Sequence, residues 1–230
     1  MNEYLNTPVF GFLISILAFE IGLYINKKTK ISLFNPLIIA IGLIMAVLLS
    51  FNIDYEIYNK GGSIISFFLG PTTVMLAVPL YKQIDRLKTS GIPVIIGMLV
   101  GCTTAVVGVF YINKLFGLTD PIAISLIPKS VTAAISMEIS KQIGGIPALT
   151  VAVTVLTGIT GNVIGPYVCN IFRIKDEVAV GIAMGTASHA VGTAKAMELG
   201  EVQGAMGSLA ISVAGLITVF LAPWLLQILS

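Results

Sequence analysis

The sequence is built from apolar runs that are long enough to cross a lipid bilayer as helices. Bridging the hydrocarbon core takes about 20 apolar residues. Runs near this length cover 7–25, 33–51, 61–81, 91–113, 145–170 and 204–229. Only 10% of the residues are charged, against about a quarter in soluble proteins. Because backbone N–H and C=O groups find no partners in lipid, such runs fold as helices. We therefore predict an all-α integral membrane protein with about six transmembrane helices.

Two further apolar segments carry polar residues where a simple membrane helix would have none. Segment 121–143 is interrupted at 128–130, and segment 177–199 contains His189, the one histidine of the chain. Proline removes a backbone donor and disfavours helical geometry in the residue before it. Irregular backbone is tolerated at membrane depth where it is buried in protein or lines a cavity. These interruptions predict broken helices around a cavity.

The distribution of basic residues indicates how these two segments meet the membrane. Lysine and arginine are enriched in cytoplasmic loops. If segment 121–143 crossed fully, the next span would deliver Arg173 and Lys175 to the outside, away from the basic cluster at 82–88. A hairpin that enters and leaves on one side keeps both clusters in the cytoplasm. The sequence therefore predicts two re-entrant hairpins, 121–143 and 177–199, with eight full spans as the alternative.

The interrupted segments also resemble one another, which predicts an internal repeat. The pattern Pro128-Lys-Ser-Val followed by Gly145-Ile-Pro recurs, at the same spacing, as Ala187-Ser-His-Ala followed by Gly204-Ala-Met. A third copy starts at Pro71. We divide the single membrane domain into N-terminal scaffold helices in 1–60 and repeat-like units at 61–117, 118–175 and 176–230. A hairpin plus one span makes neighbouring units inverted, as in many secondary transporters.

The breaks gather hydroxyl, imidazole and ammonium groups that suit a small carboxylate. Lysine supplies charge, and the N-terminal ends of half-helices supply free N–H groups. The candidate substrate-binding residues are Thr72, Thr73, Lys129, Ser130, Thr132, Ser136, Ser188, His189, Thr193 and Lys195. The structural alternatives are lysines that reach the lipid headgroups and a histidine that only packs between helices.

Other chemistries leave no trace in the sequence. No nucleophile–base pair, metal-ligand spacing or phosphate loop is visible, so we predict no enzyme, no metal and no cofactor. The net charge of +2 gives no basis for a nucleic-acid partner. The remaining function classes are a transporter and a membrane protein that acts through a partner.

Lys129 is the cation that lies directly at a helix break. We expect the chain to open before Pro128 and the next half-helix to begin near Ser130, with this serine as its N-cap. The positive end of that half-helix would repel the lysine, and a bound anion would remove the conflict. The alternative is a structural ion pair between Lys129 and Glu138.

Three motifs resemble the LrgB/CidB family: the G-P-T-T-V run at Gly70–Lys82, the P-K-S-V-T run at Pro128–Thr132 and the G-T-A-S-H-A-V-G-T-A-K-A run at Gly185–Ala196. The resemblance implies a multi-pass protein of the bacterial inner membrane with a holin-like partner of the LrgA/CidA type. The family is described as antiholin-like, modulating murein hydrolase activity and autolysis. Its chloroplast relatives export glycolate and import glycerate, and some bacterial relatives are linked to pyruvate movement.

Two functions follow as expectations. The interrupted helices and buried cations favour a transporter of small monocarboxylates such as pyruvate, glycolate or lactate, with proton coupling through His189. The alternative is an antiholin-like modulator of autolysis that acts with the holin-like partner and needs no cation site. Both functions are compatible with a homo-oligomer.

Overall fold

The computed structural model describes residues 6–29, 34, 36–68, 71, 74, 81 and 84–229, with the backbone alone for 84–90. Every regular element in these residues is a helix, which confirms the predicted all-α class. The helices with described bounds are α1 (Pro8–Thr29), α2 (Pro36–Ser50), α3 (Tyr55–Phe67), α4 (Ile84–Leu115), α5 (Asp120–Leu126), α6 (Ala133–Ile143), α7 (Pro147–Ile171), α8 (Glu177–Leu199) and α9 (Glu201–Leu229). The chain divides into two compact units, Met1–Thr72 and Thr73–Ser230.

Four of the described helices are long and apolar enough to cross a membrane: α1, the Gly91–Leu115 part of α4, α7 and α9. The predicted span 33–51 corresponds to α2, which is apolar but has only 15 residues. Helix α3 ends at Phe67, and most of the remainder of the predicted span 61–81 lies outside the described residues. The membrane architecture is therefore multi-helical, and the number of six spans stays a prediction.

In the unit Met1–Thr72, α1 packs against both of its neighbours. Gly11 and Gly61 bring the backbones of α1 and α3 together, since a β-carbon at Gly11 would lie 3.1 Å from the Cα of Gly61. The Ser15 and Tyr58 hydroxyls join the same two helices at 3.0 Å. Close approach through small residues is how membrane helices gain packing contacts without a hydrophobic driving force.

In the unit Thr73–Ser230, α4 and α9 run parallel. At the end where the α4 span starts, Val94 and Met98 pack with Met206 and Leu209 of α9. At the other end, Val106 and Val109 pack with Ala222 and Leu225. We call these two ends of the unit the Gly91 end and the Leu115 end. Gly91 itself has φ 66° and ψ −155°, so the backbone kinks there and separates 84–90 from the span.

Helix α7 runs in the opposite direction between the same two ends. Its N-terminus lies at the Leu115 end, because the Ile146 amide donates to Ser125 Oγ of α5 at 2.7 Å and Asn113 donates to the Ala123 carbonyl at 2.8 Å. Its later residues lie toward the Gly91 end, where Gly165 contacts Met184 of α8. The three long helices of this unit therefore alternate in direction along the chain.

Helices α5 and α6 form a first hairpin, residues 120–143. The Thr150 hydroxyl lies 2.9 Å from the Ser125 carbonyl of α5 and 2.7 Å from the Ser140 hydroxyl of α6. Both arms of the hairpin therefore contact α7 at Thr150, near the Leu115 end of the unit. The helix breaks at Pro128, as the proline predicts. The N-cap of the second arm, however, is Thr132, whose hydroxyl accepts from the Ile135 amide at 3.4 Å.

The assignment of Ser130 as this N-cap was therefore wrong by two residues. The segment between Leu126 and Ala133 forms turns rather than helix, so α6 begins later than the proline alone indicates. Thr132 has extended backbone geometry and its hydroxyl faces the Ile135 amide, so it caps the helix although threonine ranks below serine as an N-cap. The hairpin turn, residues 127–132, is consequently longer and carries Lys129 near its centre.

Helix α8 reverses direction within itself and forms a second hairpin, residues 177–199. Ser188 (φ −133°, ψ 16°) and His189 (φ 43°, ψ −135°) leave the helical region. A β-carbon at Gly192 would lie 2.5 Å from the Met184 carbonyl oxygen, although residues eight apart in a straight helix are about 12 Å apart. The second arm therefore folds back along the first. Both arms return to the Gly91 end, where Gln203 Nε2 lies 3.4 Å from Glu177 Oε1.

The arrangement predicts one membrane face for two basic segments. Residues 84–90 precede the span of α4 at the Gly91 end, and Arg173 and Lys175 follow α7 at the same end. With Cys102 and Cys169 replaced by alanine, Lys88→Cys and Lys175→Cys should both resist an impermeant thiol reagent in intact cells and react after permeabilisation. Labelling of Lys175→Cys alone in intact cells would instead support eight full spans.

Candidate functional site

A cavity of about 940 Å³ lies in the unit Thr73–Ser230. Its walls are α4, α7 and the first arm of the second hairpin, and Lys129 and Ser130 of the first hairpin complete it. Along α4 the lining extends from Pro93 to Ala105, about 18 Å at the rise of an α-helix. Pro93 lies at the Gly91 end, and Lys129 and Ser188 lie deep in the unit, beside the middle of α7. The cavity therefore runs from one end of the unit to the two hairpin turns.

Small residues at helical spacing create this space. The lining residues that repeat every four positions are Gly97, Gly101 and Ala105 on α4, and Ala179, Ala183 and Ala187 on α8. Residues four apart lie on one helix face, so each helix presents a row of small residues to the cavity. Of the polar stretch 185–199, only Thr186, Ala187 and Ser188 line the cavity, because the chain reverses at Ser188 and His189.

Lys129 contributes the positive charge at the deep end of the cavity. Its ammonium lies 3.5 Å from Ser130 Oγ, and among the described residues no carboxylate pairs with it. The alternative pairing with Glu138 is not formed, because Glu138 binds Lys141 at 2.7 Å on the exposed side of α6. The other charged lining residue, Asp176, lies at the Gly91 end and caps α8 by accepting from the Ala179 amide at 2.8 Å.

His189 lies behind the cavity wall. It is 5% exposed, and its Nε2 lies 2.9 Å from the Thr154 carbonyl. Because a carbonyl only accepts, Nε2 carries the proton of this hydrogen bond. The ring rests on Gly158, where a β-carbon would lie 2.6 Å from Cε1. Lys129 and Ser130 line the same cavity as Ser188, so the turn of the first hairpin and the break of the second meet beside α7.

Three of the predicted site residues line the cavity together: Lys129, Ser130 and Ser188. Ser188 is 3% exposed, and its hydroxyl fills the space that a side chain at position 161 would need. The missing side chain at Gly161 therefore allows the second hairpin to pack against α7. This contact joins α7 to the break of α8 directly.

Four hydroxyl-bearing residues at the cavity, Thr104, Thr157, Thr160 and Thr186, were missed from the sequence. Thr186 is 7% exposed, and its Oγ1 has no hydrogen-bond partner among the described residues. Thr186 stands in the same polar stretch as Ser188, but a continuous helix through Ser188 would place the two on different faces. A buried unpaired hydroxyl is uncommon, and here it lies on a cavity wall.

Two predicted residues of the first hairpin make structural contacts instead. Thr132 is the N-cap of α6. Ser136 is fully buried, its hydroxyl donates to the Ala133 carbonyl at 3.0 Å, and it accepts from Thr154 Oγ1 at 3.1 Å. Together with the Ser140–Thr150 contact, this pair holds α6 against α7. Hydrogen bonds between membrane helices contribute about 0.6 kcal/mol each on average.

The other predicted residues lie away from the cavity lining or outside the described chain. Thr193 is buried in the second arm, and its Oγ1 also has no described partner. Lys195 pairs with Glu198 at 2.7 Å near the end of that arm. Thr72 and Thr73 lie outside the described residues. Within the described part of the chain no three histidine, cysteine or acidic side chains cluster in a way that could hold a metal ion.

Comparison with known proteins identifies the family. Residues 15–228 match the LrgB-like family. The chain belongs to the LrgB-like family. It is 40% identical over 218 residues to a Bacillus cereus protein named antiholin-like protein LrgB, a match that covers 94% of this chain and 95% of the relative. A Bacillus anthracis protein of the same name matches to the same extent. No solved structure matches the chain.

The packing of the His189 ring against Gly158 gives a prediction about stability. Gly158→Ala should lower the free energy of unfolding by about 1–3 kcal/mol, because the new methyl group overlaps the imidazole. In a His189→Ala background the same change should cost markedly less. A double-mutant cycle of apparent melting temperatures in detergent measures this coupling. Equal costs in both backgrounds would show that the ring does not rest on this glycine.

Proposed function

We propose that this LrgB-family protein carries small monocarboxylate anions across the bacterial inner membrane, with Lys129 as the ligand of the carboxylate group. One observation carries the proposal: a partly buried ammonium without a counter-charge among the described residues stands at the deep end of a large cavity. Burying an unpaired charge is costly. An anion that enters the cavity would reduce this cost, so the site is selective for negative charge.

The helix breaks strengthen the attraction for an anion. Helix α6 begins just after Thr132, so its N-terminal N–H groups and the positive end of its dipole lie next to the hairpin turn that carries Lys129. A lysine and a helix N-terminus repel each other, and both attract a carboxylate. Ser130 and Ser188 add hydroxyl donors at the same end of the cavity.

The arrangement of the hairpins supports a carrier rather than an open pore. The first hairpin enters from the Leu115 end and the second from the Gly91 end, so the two are inverted with respect to each other. We infer that both are re-entrant and that six helices span the membrane. Secondary transporters place their substrates between broken helices of inverted repeats near the bilayer midplane. The cavity runs from the Gly91 end to the hairpin turns, which corresponds to an inward-facing carrier if that end is cytoplasmic.

The second candidate function is an antiholin-like role together with a holin-like membrane partner of the LrgA/CidA type. The names of the Bacillus relatives support this role more directly than they support transport. Such a role needs a surface for the partner and makes no use of an unpaired lysine in a cavity. The two functions are compatible if autolysis responds to the transported anion.

The transport proposal predicts a strong effect of Lys129. In proteoliposomes, Lys129→Gln should reduce uptake of labelled pyruvate, glycolate or lactate about 10- to 100-fold, because a charge-assisted hydrogen bond is lost. Lys129→Arg should also lose uptake, since the planar guanidinium is larger and its donors point elsewhere.

Lys141→Gln is the matched control, because Lys141 belongs to the same hairpin but is half exposed and paired with Glu138. Normal uptake by Lys129→Gln would refute the anion site. If the wild-type protein carries none of these acids, yet its loss changes the autolysis rate of cells, the antiholin-like role is the function.

His189 should set a pH dependence of uptake. Its imidazole can take a proton as a carboxylate approaches Lys129, so uptake should rise as the external pH falls. His189→Gln should flatten this profile while keeping the fold, because the glutamine amide can donate to the Thr154 carbonyl as Nε2 does. Initial uptake rates across mildly acidic to neutral pH measure the effect. An unchanged profile would reduce His189 to a packing residue.

A further inference from the structure

We propose that Gly97 sets the width of the route by which a solute reaches Lys129 from the Gly91 end, and hence the size of the carboxylate that is accepted. The part of this inference that concerns carboxylates rests on the proposed function. The part that concerns the route rests on the cavity alone. Gly97 lies between Val94, which packs at the Gly91 end, and Gly101, which lies against Thr186.

Packing against the described residues does not explain the glycine at this position. Apart from its chain neighbours and the backbone of its own helix, no described atom lies within 4 Å of the place where a β-carbon at Gly97 would stand. Gly101, by contrast, meets Thr186 Cγ2 at 3.1 Å, which accounts for its missing side chain. Glycine inside a helix is less favourable than alanine by about 0.5–1 kcal/mol. At position 97 no contact with another described helix offsets this cost.

The cavity gives the reason. Gly97 is an exposed residue of α4 that lines the cavity. The facing wall of α8 carries Ala183, which is also small. A side chain at position 97 would therefore enter the cavity at a level between the Gly91 end and the deep end that carries Ser188 and Lys129.

Gly108 provides a matched control. It lies on the same helix, and its β-carbon position also has no described atom within 4 Å. Eleven residues separate it from Gly97, so the two share a face of α4. The cavity lining on α4 ends at Ala105, which leaves Gly108 beyond the deep end. A leucine at either position has comparable space, but only Gly97→Leu places its side chain in the cavity and narrows the route.

The test measures access to the deep end without requiring transport. In the full-length protein with Cys102→Ala and Cys169→Ala, Ala187→Cys places a thiol on an exposed residue of the cavity wall next to Ser188. Its reaction rate is measured with a small and a bulky methanethiosulfonate reagent. Gly97→Leu should slow the bulky reagent at least about tenfold and the small one less, a typical discrimination for a few carbon atoms. Gly97→Ala should have a small effect, and Gly108→Leu none.

Equal rates in Gly97→Leu and the parent protein, or equal slowing by Gly108→Leu, would overturn the proposal. Correct folding of each variant is checked by its elution as a single peak in detergent. Uptake of pyruvate and of a bulkier keto acid by the same variants gives the second measurement. Slowed labelling in a protein that transports neither acid would support the route and refute the proposed transport. Slowed labelling with an unchanged ratio of the two uptake rates would refute the role of Gly97 in size selection.

Discussion

A helix that breaks away from water must find partners for the backbone and side-chain groups that the break releases. The unit Thr73–Ser230 meets this requirement at two places, the turn of the first hairpin and the break at Ser188 and His189. Both lie beside α7, whose Gly158 and Gly161 leave room for an imidazole and a hydroxyl. The cavity, the position of Lys129 and the antiparallel course of α7 all depend on this arrangement.

The two hairpins are attached to α7 by different means. The second arm of the first hairpin is held by hydroxyl pairs, Ser136 with Thr154 and Ser140 with Thr150, all fully buried. The second hairpin rests on Gly158 and Gly161 and packs mainly against α9. Two hydrogen bonds also join it to α7, from His189 Nε2 to the Thr154 carbonyl and from Asn162 Nδ2 to the Val191 carbonyl, both at 2.9 Å. Hydrogen bonds fix register through direction and distance, so both hairpins have a defined register on α7.

Much of this could be predicted from residue types, and the rest depends on tertiary contacts. Pro128 marks the first break because proline alone is sufficient to interrupt a helix. The sequence predicts a hairpin over 177–199, but no proline or glycine marks its reversal at His189. Residue types alone therefore include Thr193 and Lys195 at the site and omit Thr186. Likewise, N-cap propensity favours Ser130 over Thr132, and the backbone of the turn places Thr132 at the start of the helix instead. The charge of Lys195 is neutralised by Glu198, a pairing that sequence spacing permits but does not require.

The position of α7 in the chain has a consequence for biogenesis. Synthesis proceeds from the N-terminus, and segments fold as they are made. The first hairpin is completed before α7 exists, so its polar turn reaches the membrane without the glycines and hydroxyls that later accommodate it. The second hairpin is made after α7 and meets a finished surface. With the proposed re-entrant topology, insertion of residues 120–143 requires the insertion machinery to shield Lys129 from lipid until α7 has been made.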